Sequence, residues 1–293
     1  MTRSGLVTIA GKPNAGKSTL LNRLVGQKLA ITSEKPQSTR DRIVGILTEG
    51  DAQFVLSDTP GLLEPRYALH RAMRAAAVRA IEDADVVLYL IDASCGEYTP
   101  LSTAAALPKP LRAHVIPVFN KEDLVQEGER DRLRRVVPGA FFVSAKTGHG
   151  IDDLLARVKS LLPESPFLYA AEDASPHTLR YFAAEFIRET ALEQLHEEVP
   201  YSVACGIEEF RERPRPVYIR AVLYVERESQ KRILIGQGGS RIREIGRAAR
   251  LKIEALLEEA VFLDLWVKVL ENWRRDANAL RRLGYAVPEE KKT

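Results

Sequence analysis

A glycine-rich segment near the start of the chain combines the residue types that bind phosphate. Gly11–Ser18 has the pattern Gly-x-x-x-x-Gly-Lys-Ser between an apolar run and a helical pattern, the context of a P-loop. Glycines let backbone N–H groups and a helix N-terminus approach phosphate oxygens, and Lys17 adds a positive charge. The alternative is a glycine-rich turn that binds nothing. The predicted phosphate-binding residues are Gly11, Lys12, Pro13, Asn14, Ala15, Gly16, Lys17, Ser18 and Thr19.

A carboxylate and two hydroxyl groups suit a Mg²⁺ ion beside these phosphates. Ser18 is predicted to place its hydroxyl on Mg²⁺, and Asp58, after an apolar strand, to hold the ion through its hydration shell. Thr39 is predicted to supply the second hydroxyl, although Ser38 beside it leaves the register open. A solvated polar loop is the alternative for Thr39.

The segment that follows Asp58 is predicted to sense the γ-phosphate as a mobile switch, because Gly61 can offer that phosphate a backbone N–H. The next residue is Leu62, where many small GTPases have a glutamine that orients the attacking water. Leucine cannot orient water, so hydrolysis by the isolated protein is expected to be slow unless a cation or a partner assists. The predicted contacts here are Asp58, Thr59, Pro60, Gly61 and Leu62.

Two short segments after later strands are predicted to read a guanine base. Asn120–Asp123 has the pattern Asn-Lys-x-Asp, and the Asp123 carboxylate can accept the N1–H and N2 amino hydrogens of guanine. The Ala145 amide is predicted to donate to guanine O6. A P-loop ATPase or kinase is the alternative, and it is separated by asking whether Asp123→Asn transfers preference from GTP to XTP. The predicted base-site residues are Asn120, Lys121, Glu122, Asp123, Ser144, Ala145 and Lys146.

Length and composition predict a globular cytoplasmic protein of two domains. The 293 residues exceed the usual single domain, and 45% of them are hydrophobic and 28% charged. Cys95 and Cys205 are far apart and form no disulfide or zinc pattern. The N-terminus lacks a leader pattern, and the longest apolar run, Val86–Ile91, is too short to span a membrane. Peripheral contact with the inner face of the cell membrane stays open.

Apolar runs alternating with helical patterns predict an α/β domain over 1–163, a linker at 164–177, a second domain at 178–287 and a charged tail at 288–293. The first domain's predicted strands, the second and third antiparallel, are Leu6–Ala10, Ile43–Thr48, Gln53–Ser57, Val86–Asp92, Val115–Phe119 and Phe141–Val143. The second domain's predicted elements are a helix at Leu179–Leu195, strands at Val203–Arg211, Val217–Val225 and Leu263–Val269, helices flanking Gly236–Gly239, and a helix at Arg274–Leu283.

The five nucleotide-binding motifs, in their order and spacing, resemble those of translation-factor-class GTPases. The phrase Gly-Lys-Pro-Asn-Ala-Gly-Lys-Ser narrows the resemblance to the Era family, which runs from Leu6 to the C-terminal region. Ser38 departs from the threonine usual there. The resemblance implies a P-loop GTPase domain with a mixed, mostly parallel sheet, followed by an α+β RNA-binding KH domain that is type II-like.

The resemblance also implies a role for K⁺. GTPases with asparagine at the position of Asn14 and an apolar residue in place of glutamine include several that use K⁺ as a fixed positive charge, with the asparagine as a ligand. The alternative is that Asn14 only shapes the loop. The residues predicted to take part in catalysis are Asn14, through this resemblance, and Lys17, Thr39, Asp58 and Gly61, from the motifs above.

Gly236–Gly239 has the Gly-x-x-Gly pattern with which KH domains clamp the backbone of about four nucleotides. The surrounding stretch 227–252 carries eight basic and two acidic residues, although a solvated helical face is the alternative. Ile233, Leu234, Ile242 and Ile245 are expected in the core, which leaves Ile235 to touch bases. The predicted RNA-binding residues are Arg232, Ile235, Gly236, Gln237, Gly238, Gly239, Ser240, Arg241, Arg243 and Arg247.

These features together predict a monomeric switch that uses GTP, GDP and Mg²⁺, in which GTP orders Thr39 and Gly61 and so alters access to an RNA groove. The family resemblance points to ribosomal RNA near the 3′ end of the small subunit, to assembly of that subunit, and to no role for DNA. The alternative is a passive RNA-binding module or chaperone whose nucleotide is structural. It predicts no useful turnover even with RNA or ribosomal subunits present.

Overall fold

The computed structural model describes residues 1–33, 35–107 and 109–288 and divides into two compact units. The first unit comprises 1–30, 39–65 and 73–176, and the second comprises 31–38, 66–72 and the described residues from His177. Of the predicted charged tail, residues 289–293 lie outside the described residues.

The first unit is built on a six-stranded sheet of order β2-β3-β1-β4-β5-β6, in which only β2 is antiparallel to its neighbour. The mixed, mostly parallel sheet and the antiparallel pair are therefore confirmed. Crossover helices cover a parallel sheet on both faces, which explains why β3 is buried along its whole length. The strands are β1 Arg3–Gly11, β2 Ile43–Glu49, β3 Ala52–Asp58, β4 Val86–Asp92, β5 His114–Asn120 and β6 Phe141–Phe142. The helices are α1 Lys17–Val25, α2 Ala68–Glu82, α3 Leu101–Ala104, α4 Glu127–Val136 and α5 Ile151–Leu161, and the residues of α2 up to Ala72 group with the second unit.

The segment between α5 and His177, predicted as a linker, packs against the edge of the sheet. Gln53 on β3 is fully buried, and its Oε1 accepts the amides of Leu168 at 2.8 Å and Tyr169 at 3.0 Å. Its Nε2 donates to the Tyr169 carbonyl at 2.9 Å. Farther along, the Ile46 amide donates to the Ala174 carbonyl at 2.8 Å. Up to Pro176 this segment is therefore part of the first unit.

The second unit has the α-β-β-α-α-β order of a type II KH domain. Its three-stranded sheet has the order β7-β8-β9, with β7 antiparallel and β9 parallel to β8. A parallel pair needs a crossover, which the two helices around the Gly-x-x-Gly turn provide. The elements are α6 Leu179–Gln194, β7 Ala204–Arg211, β8 Val217–Val225, α7 Glu228–Ile235, α8 Ser240–Leu257, β9 Val261–Val269 and α9 Ala277–Arg282.

Two details of the second domain differ from the sequence-based expectation. Ile233 was expected in the core but is 47% exposed, because the buried positions of α7 are Gln230 and Leu234, one helical turn apart. The last helix begins at Ala277 rather than Arg274, and the Asp276 side chain caps it by accepting the Asn278 amide at 2.8 Å. Among the described residues, no helix has the length and apolar character needed to cross a membrane.

Replacing Gln53 with alanine is expected to release the segment 166–176 from the sheet edge. The substitution removes both hydrogen-bonding partners of the Tyr169 backbone. A loss of about 1.4 kcal/mol of local stability corresponds to a roughly tenfold change in the equilibrium constant for local opening. Hydrogen–deuterium exchange in 166–176 should therefore rise about tenfold or more. The exposed Gln27→Ala is the matched control, and unchanged exchange in Gln53→Ala would contradict the assignment.

Candidate nucleotide and RNA sites

The predicted nucleotide-binding segments meet at one edge of the six-stranded sheet. Parallel strands end on the same side, and the register pairs Ile9 of β1 with Asp58 of β3 and Asp92 of β4 with Asn120 of β5. This is the edge at which open α/β sheets bind ligands. Asp58, Asn120 and the P-loop are therefore brought together by the sheet.

The P-loop wraps around the side chain of its own lysine. Lys17, at the start of α1, is buried, and its Nζ donates to the carbonyls of Lys12 at 2.9 Å and Gly11 at 3.3 Å. Burial lowers the pKa of Lys17, and the nearby Asp58 carboxylate partly offsets this effect. Phosphate oxygens would give the ammonium group the negative partner that favours its charged form.

Glycine is required in this loop because of close approaches. A Cβ atom on Gly16, which has a φ of 91°, would lie 2.2 Å from Nδ2 of Asn120. That amide also donates to the Ala15 carbonyl at 2.8 Å, so the end of β5 supports the P-loop directly. Asn14, the predicted K⁺ ligand, is exposed and has a left-handed φ of 62°.

Three oxygen groups converge at the predicted Mg²⁺ position. Oδ2 of Asp58 accepts hydrogen bonds from the Ser18 hydroxyl at 2.6 Å and the Thr39 hydroxyl at 3.0 Å. The two hydroxyl oxygens lie 3.0 Å apart. Thr39 rather than Ser38 therefore contributes its side chain here.

The electrostatics of Asp58 fit a cation at this position. Burial raises the pKa of Asp58, while Lys17 and the two hydroxyl donors partly offset that increase. Its second oxygen, Oδ1, is buried and has no hydrogen-bond partner among the described groups. A buried carboxylate oxygen without a partner is costly, and Mg²⁺ prefers such oxygen ligands. Ser18, Thr39 and Asp58 therefore suit a Mg²⁺ ion.

The predicted γ-phosphate sensor lies against the P-loop. A Cβ atom on Gly61 would lie 2.7 Å from the backbone nitrogen of Pro13, so only glycine fits, and the Leu62 amide donates to the Gly11 carbonyl at 3.0 Å. Thr59 is buried and donates its hydroxyl to the Ile9 carbonyl at 2.9 Å. The Leu62 side chain is buried in the apolar core of this unit, which is consistent with its inability to orient water.

The two base-reading segments are linked through Asn120 and neighbouring ion pairs. Oδ1 of Asn120 accepts the Ala145 amide at 2.9 Å. A hydrogen bond from this amide to guanine O6 would therefore be shared with Asn120. Lys121 pairs with Asp92 at 2.6 Å. Asp123 is exposed, whereas Glu122 beside it is buried.

Sequence reasoning missed the contacts that hold Glu122. Its carboxylate bonds to Arg130 on α4 and to His149 in the loop after Ser144. Nothing in the local sequence pattern pairs these residues, because the three belong to separate elements. Their proximity depends on how α4 and the 144–149 loop pack beside β5.

The Gly-x-x-Gly turn directly precedes α8, the helix that carries the basic face of the second unit. Gly236, Gly238 and Gly239 all have positive φ values, and a Cβ atom on Gly236 would lie 2.9 Å from the Arg241 backbone nitrogen. Arg232, Arg243 and Arg247 are exposed, whereas Arg241 is partly buried and donates to the Gln194 carbonyl at 3.1 Å.

A groove of about 280 Å³ runs between α8 and β9. Arg243 and Arg247, both predicted to bind RNA, lie on its helical side. An apolar floor between a basic helix and a strand suits unpaired bases whose phosphates face the arginines. Sequence reasoning missed four of the groove's residues because they become neighbours only when β9 packs beside α8. These residues are Gly246, Arg250, Leu263 and Leu265.

Asp58→Asn is expected to raise the Mg²⁺ concentration needed for tight GTP binding by about tenfold or more, because it removes the buried negative charge. A raised pKa means that protons compete with Mg²⁺ for Asp58 at higher pH than usual. The difference between wild type and variant should therefore shrink as the pH falls. Titrating Mg²⁺ against fluorescent GTP at several pH values measures this effect. Asp131→Asn, an exposed carboxylate on α4, is the control, and an equal Mg²⁺ requirement in Asp58→Asn and wild type would contradict the assignment.

Comparisons with known proteins agree with this geometry. A family model described as 50S ribosome-binding GTPase matches residues 6–121, and a KH domain model matches residues 198–274. GTPase Era of Carboxydothermus hydrogenoformans is 42% identical over 97% of this chain and 98% of its own length.

Two solved structures match nearly the whole chain with a TM-score of 0.90 and 37% identity, covering 98% of it and 100% of each matched chain. One is a single-residue variant of Era from Aquifex aeolicus bound to GDP·AlF₄⁻. The other is Era in complex with MgGDPNP and nucleotides 1506–1542 of 16S ribosomal RNA. The GTPase model and the KH model match this chain in order, and the Carboxydothermus hydrogenoformans relative is 42% identical over nearly the full length of both chains. The chain therefore belongs to the GTPase Era family.

Proposed function

We propose that this GTPase uses the state of its bound nucleotide to control the binding of ribosomal RNA by its KH domain. The proposed RNA is the single-stranded region near the 3′ end of small-subunit ribosomal RNA, and the proposed role is assembly of that subunit. The related Era structure with a 16S ribosomal RNA fragment supports this choice of ligand. The α8–β9 groove, with its apolar floor and basic wall, supports a single strand rather than a duplex.

The residues of the P-loop and its neighbours have distinct roles in this proposal. Lys17 binds the β- and γ-phosphates, while Ser18, Thr39 and Asp58 hold the Mg²⁺ ion. When bound, that ion neutralises phosphate charge and orients the γ-phosphate. Gly61 donates its backbone N–H to the γ-phosphate. Asp123 selects guanine.

The observation that carries the switch is a charged network within the second unit. Segment 31–38, which ends next to Thr39, belongs to the same unit as the KH domain. The fully buried Glu189 on α6 accepts the Thr32 amide with Oε1 at 3.3 Å. Its Oε2 bonds to Lys252 on α8 at 2.9 Å. One carboxylate thus joins the segment before Thr39 to the helix that carries the basic face.

A second buried residue holds the same segment beside Thr39. The Arg188 guanidinium donates to the Ser38 carbonyl at 2.6 Å and pairs with Glu185 at 2.5 Å. Lys35 donates to the carbonyls of Leu192 and Leu195 at the end of α6. GTP binding that brings Thr39 to Mg²⁺ would change the contacts of segment 31–38 with α6. This change would in turn alter the position of α8 within the KH domain.

The experiment that tests the switch compares RNA affinity in three nucleotide states. A single-stranded oligonucleotide from the 3′ end of 16S ribosomal RNA is titrated with the full chain in a GTP analogue, GDP or no nucleotide. Wild-type affinity should differ between the GTP-analogue and GDP states. Glu189→Gln should bring the ratio toward one, because it removes the charge that joins Thr32 to Lys252.

Glu193→Gln is the matched control for this experiment. Glu193 lies on the same helix and also pairs with Lys252 at 2.8 Å, but it is partly exposed. No hydrogen bond joins it to Thr32 among the described contacts, so its variant should keep most of the wild-type ratio. Identical wild-type RNA affinity in all three nucleotide states would contradict the proposed switch.

We further propose that K⁺ accelerates hydrolysis through Asn14. Leu62 is buried and cannot orient water, so slow turnover by the isolated chain is expected. A cation beside the exposed Asn14 would supply the missing positive charge at the transition state. Turnover should be higher in KCl than in NaCl at equal ionic strength, and Asn14→Ala should remove the difference. Equal rates in both salts for wild type would exclude the role of K⁺.

The cellular setting of this activity stays a prediction. We propose that the chain acts as a monomer in the cytoplasm, in contact with the small ribosomal subunit. Contact with the inner face of the cell membrane would be peripheral. Basic residues of the last helix, Arg281 and Arg282, would serve either RNA or lipid headgroups. Sedimentation of the chain with ribosomal subunits and with anionic vesicles distinguishes these settings.

A further inference from the structure

A buried carboxylate lies directly behind the residue that reads the base. Glu122 precedes Asp123, and its side chain is only 5% exposed. Oε1 bonds to Arg130 at 2.8 Å and Oε2 contacts Nδ1 of His149 at 2.9 Å. A buried carboxylate is costly unless it is paired, so these partners fix where Glu122 can lie. Nε of Arg130 is itself buried without a hydrogen-bond partner among the described groups, a cost that the pairing with Glu122 offsets.

The cluster joins the two segments that flank the base site. Glu122 belongs to the turn Glu122–Leu124, and its amide donates to the Val143 carbonyl at 3.1 Å. His149 ends the loop that begins at Ser144, and the Ser144 amide donates to its carbonyl at 3.0 Å. The Glu122–His149 contact therefore fastens the Asn-Lys-x-Asp segment to the Ser-Ala-Lys loop. Helix α4 supports both through Arg130.

We infer that Glu122, with His149 and Arg130, is a positioning residue for guanine selectivity: the cluster holds Asp123 where its carboxylate accepts both N1–H and the N2 amino group. This inference rests on the proposed role of Asp123 as the base reader. Two parallel hydrogen bonds require a narrower range of carboxylate positions than one. Hypoxanthine lacks the 2-amino group and offers only N1–H. A displaced Asp123 therefore loses more affinity for a guanine nucleotide than for its inosine counterpart.

The test measures the ratio of GDP to IDP affinity in the full chain with Mg²⁺. His149→Ala and Glu122→Gln should each lower the wild-type preference for GDP roughly three- to fivefold, the effect expected of one weakened hydrogen bond. His149 is 69% exposed, so its removal leaves folding intact even if Glu122→Gln destabilises the loop. The double variant should lose less than the sum of the two single variants, because the contact between Glu122 and His149 is affected in both. His114→Ala, an exposed histidine at the start of β5, is the matched control and should keep the wild-type ratio.

Equal losses of GDP and IDP affinity in His149→Ala and Glu122→Gln would overturn the inference, since a merely structural role weakens both nucleotides alike. Asp123→Ala distinguishes the positioning role of Glu122 from the base-reading role of Asp123. If Asp123→Ala removes the preference for GDP and the cluster variants do not, the inference fails while the role of Asp123 stands. If Asp123→Ala keeps the preference, the proposed base reader itself is wrong.

Discussion

Two opposite charges buried side by side, the Lys17 ammonium and the Asp58 carboxylate, constrain the rest of the GTPase domain. Burial disfavours the charged form of both groups, lowering the pKa of Lys17 and raising that of Asp58. Phosphate oxygens and Mg²⁺ would give these two buried groups partners of opposite charge. The parallel sheet makes this arrangement possible, because the ends of β1 and β3 lie side by side and deliver both groups to one edge.

The segments around Lys17 and Asp58 are closely packed. Asn120 leaves no room for a side chain on Gly16, and Pro13 leaves none on Gly61. The P-loop, the γ-phosphate sensor and the base reader therefore support each other. Thr39 is different, because the residues before it belong to the KH-containing unit. Within that unit, Glu189 accepts the Thr32 amide and pairs with Lys252.

Local patterns in the sequence were sufficient for the features that depend on neighbours along the chain. The P-loop, the strands and the Gly-x-x-Gly turn follow from glycine spacing and apolar periodicity, and the fold class was predicted correctly. The choice between Ser38 and Thr39 needed the hydrogen bond to Asp58, which joins residues far apart in sequence. Ile233 was misplaced because short helices leave the phase of the buried face ambiguous.

Features that depend on packing between elements could not be predicted. Leu263 and Leu265 line the α8–β9 groove only because β9 pairs in parallel with β8 and so lies beside α8. Gln53 looks like an ordinary strand residue until the segment 166–176 folds over it. Glu122 occupies a position that the base-reading pattern leaves unspecified, and its partners lie on α4 and a later loop.

The proposed coupling joins the nucleotide and RNA sites energetically, and coupling free energies are reciprocal. The most direct measurement is therefore the affinity of the chain for a GTP analogue and for GDP, with and without saturating 16S 3′-end oligonucleotide. If the sites are coupled, RNA changes the ratio of the two affinities by the same factor by which the nucleotides change RNA affinity. A ratio that RNA leaves unchanged would contradict the proposed coupling.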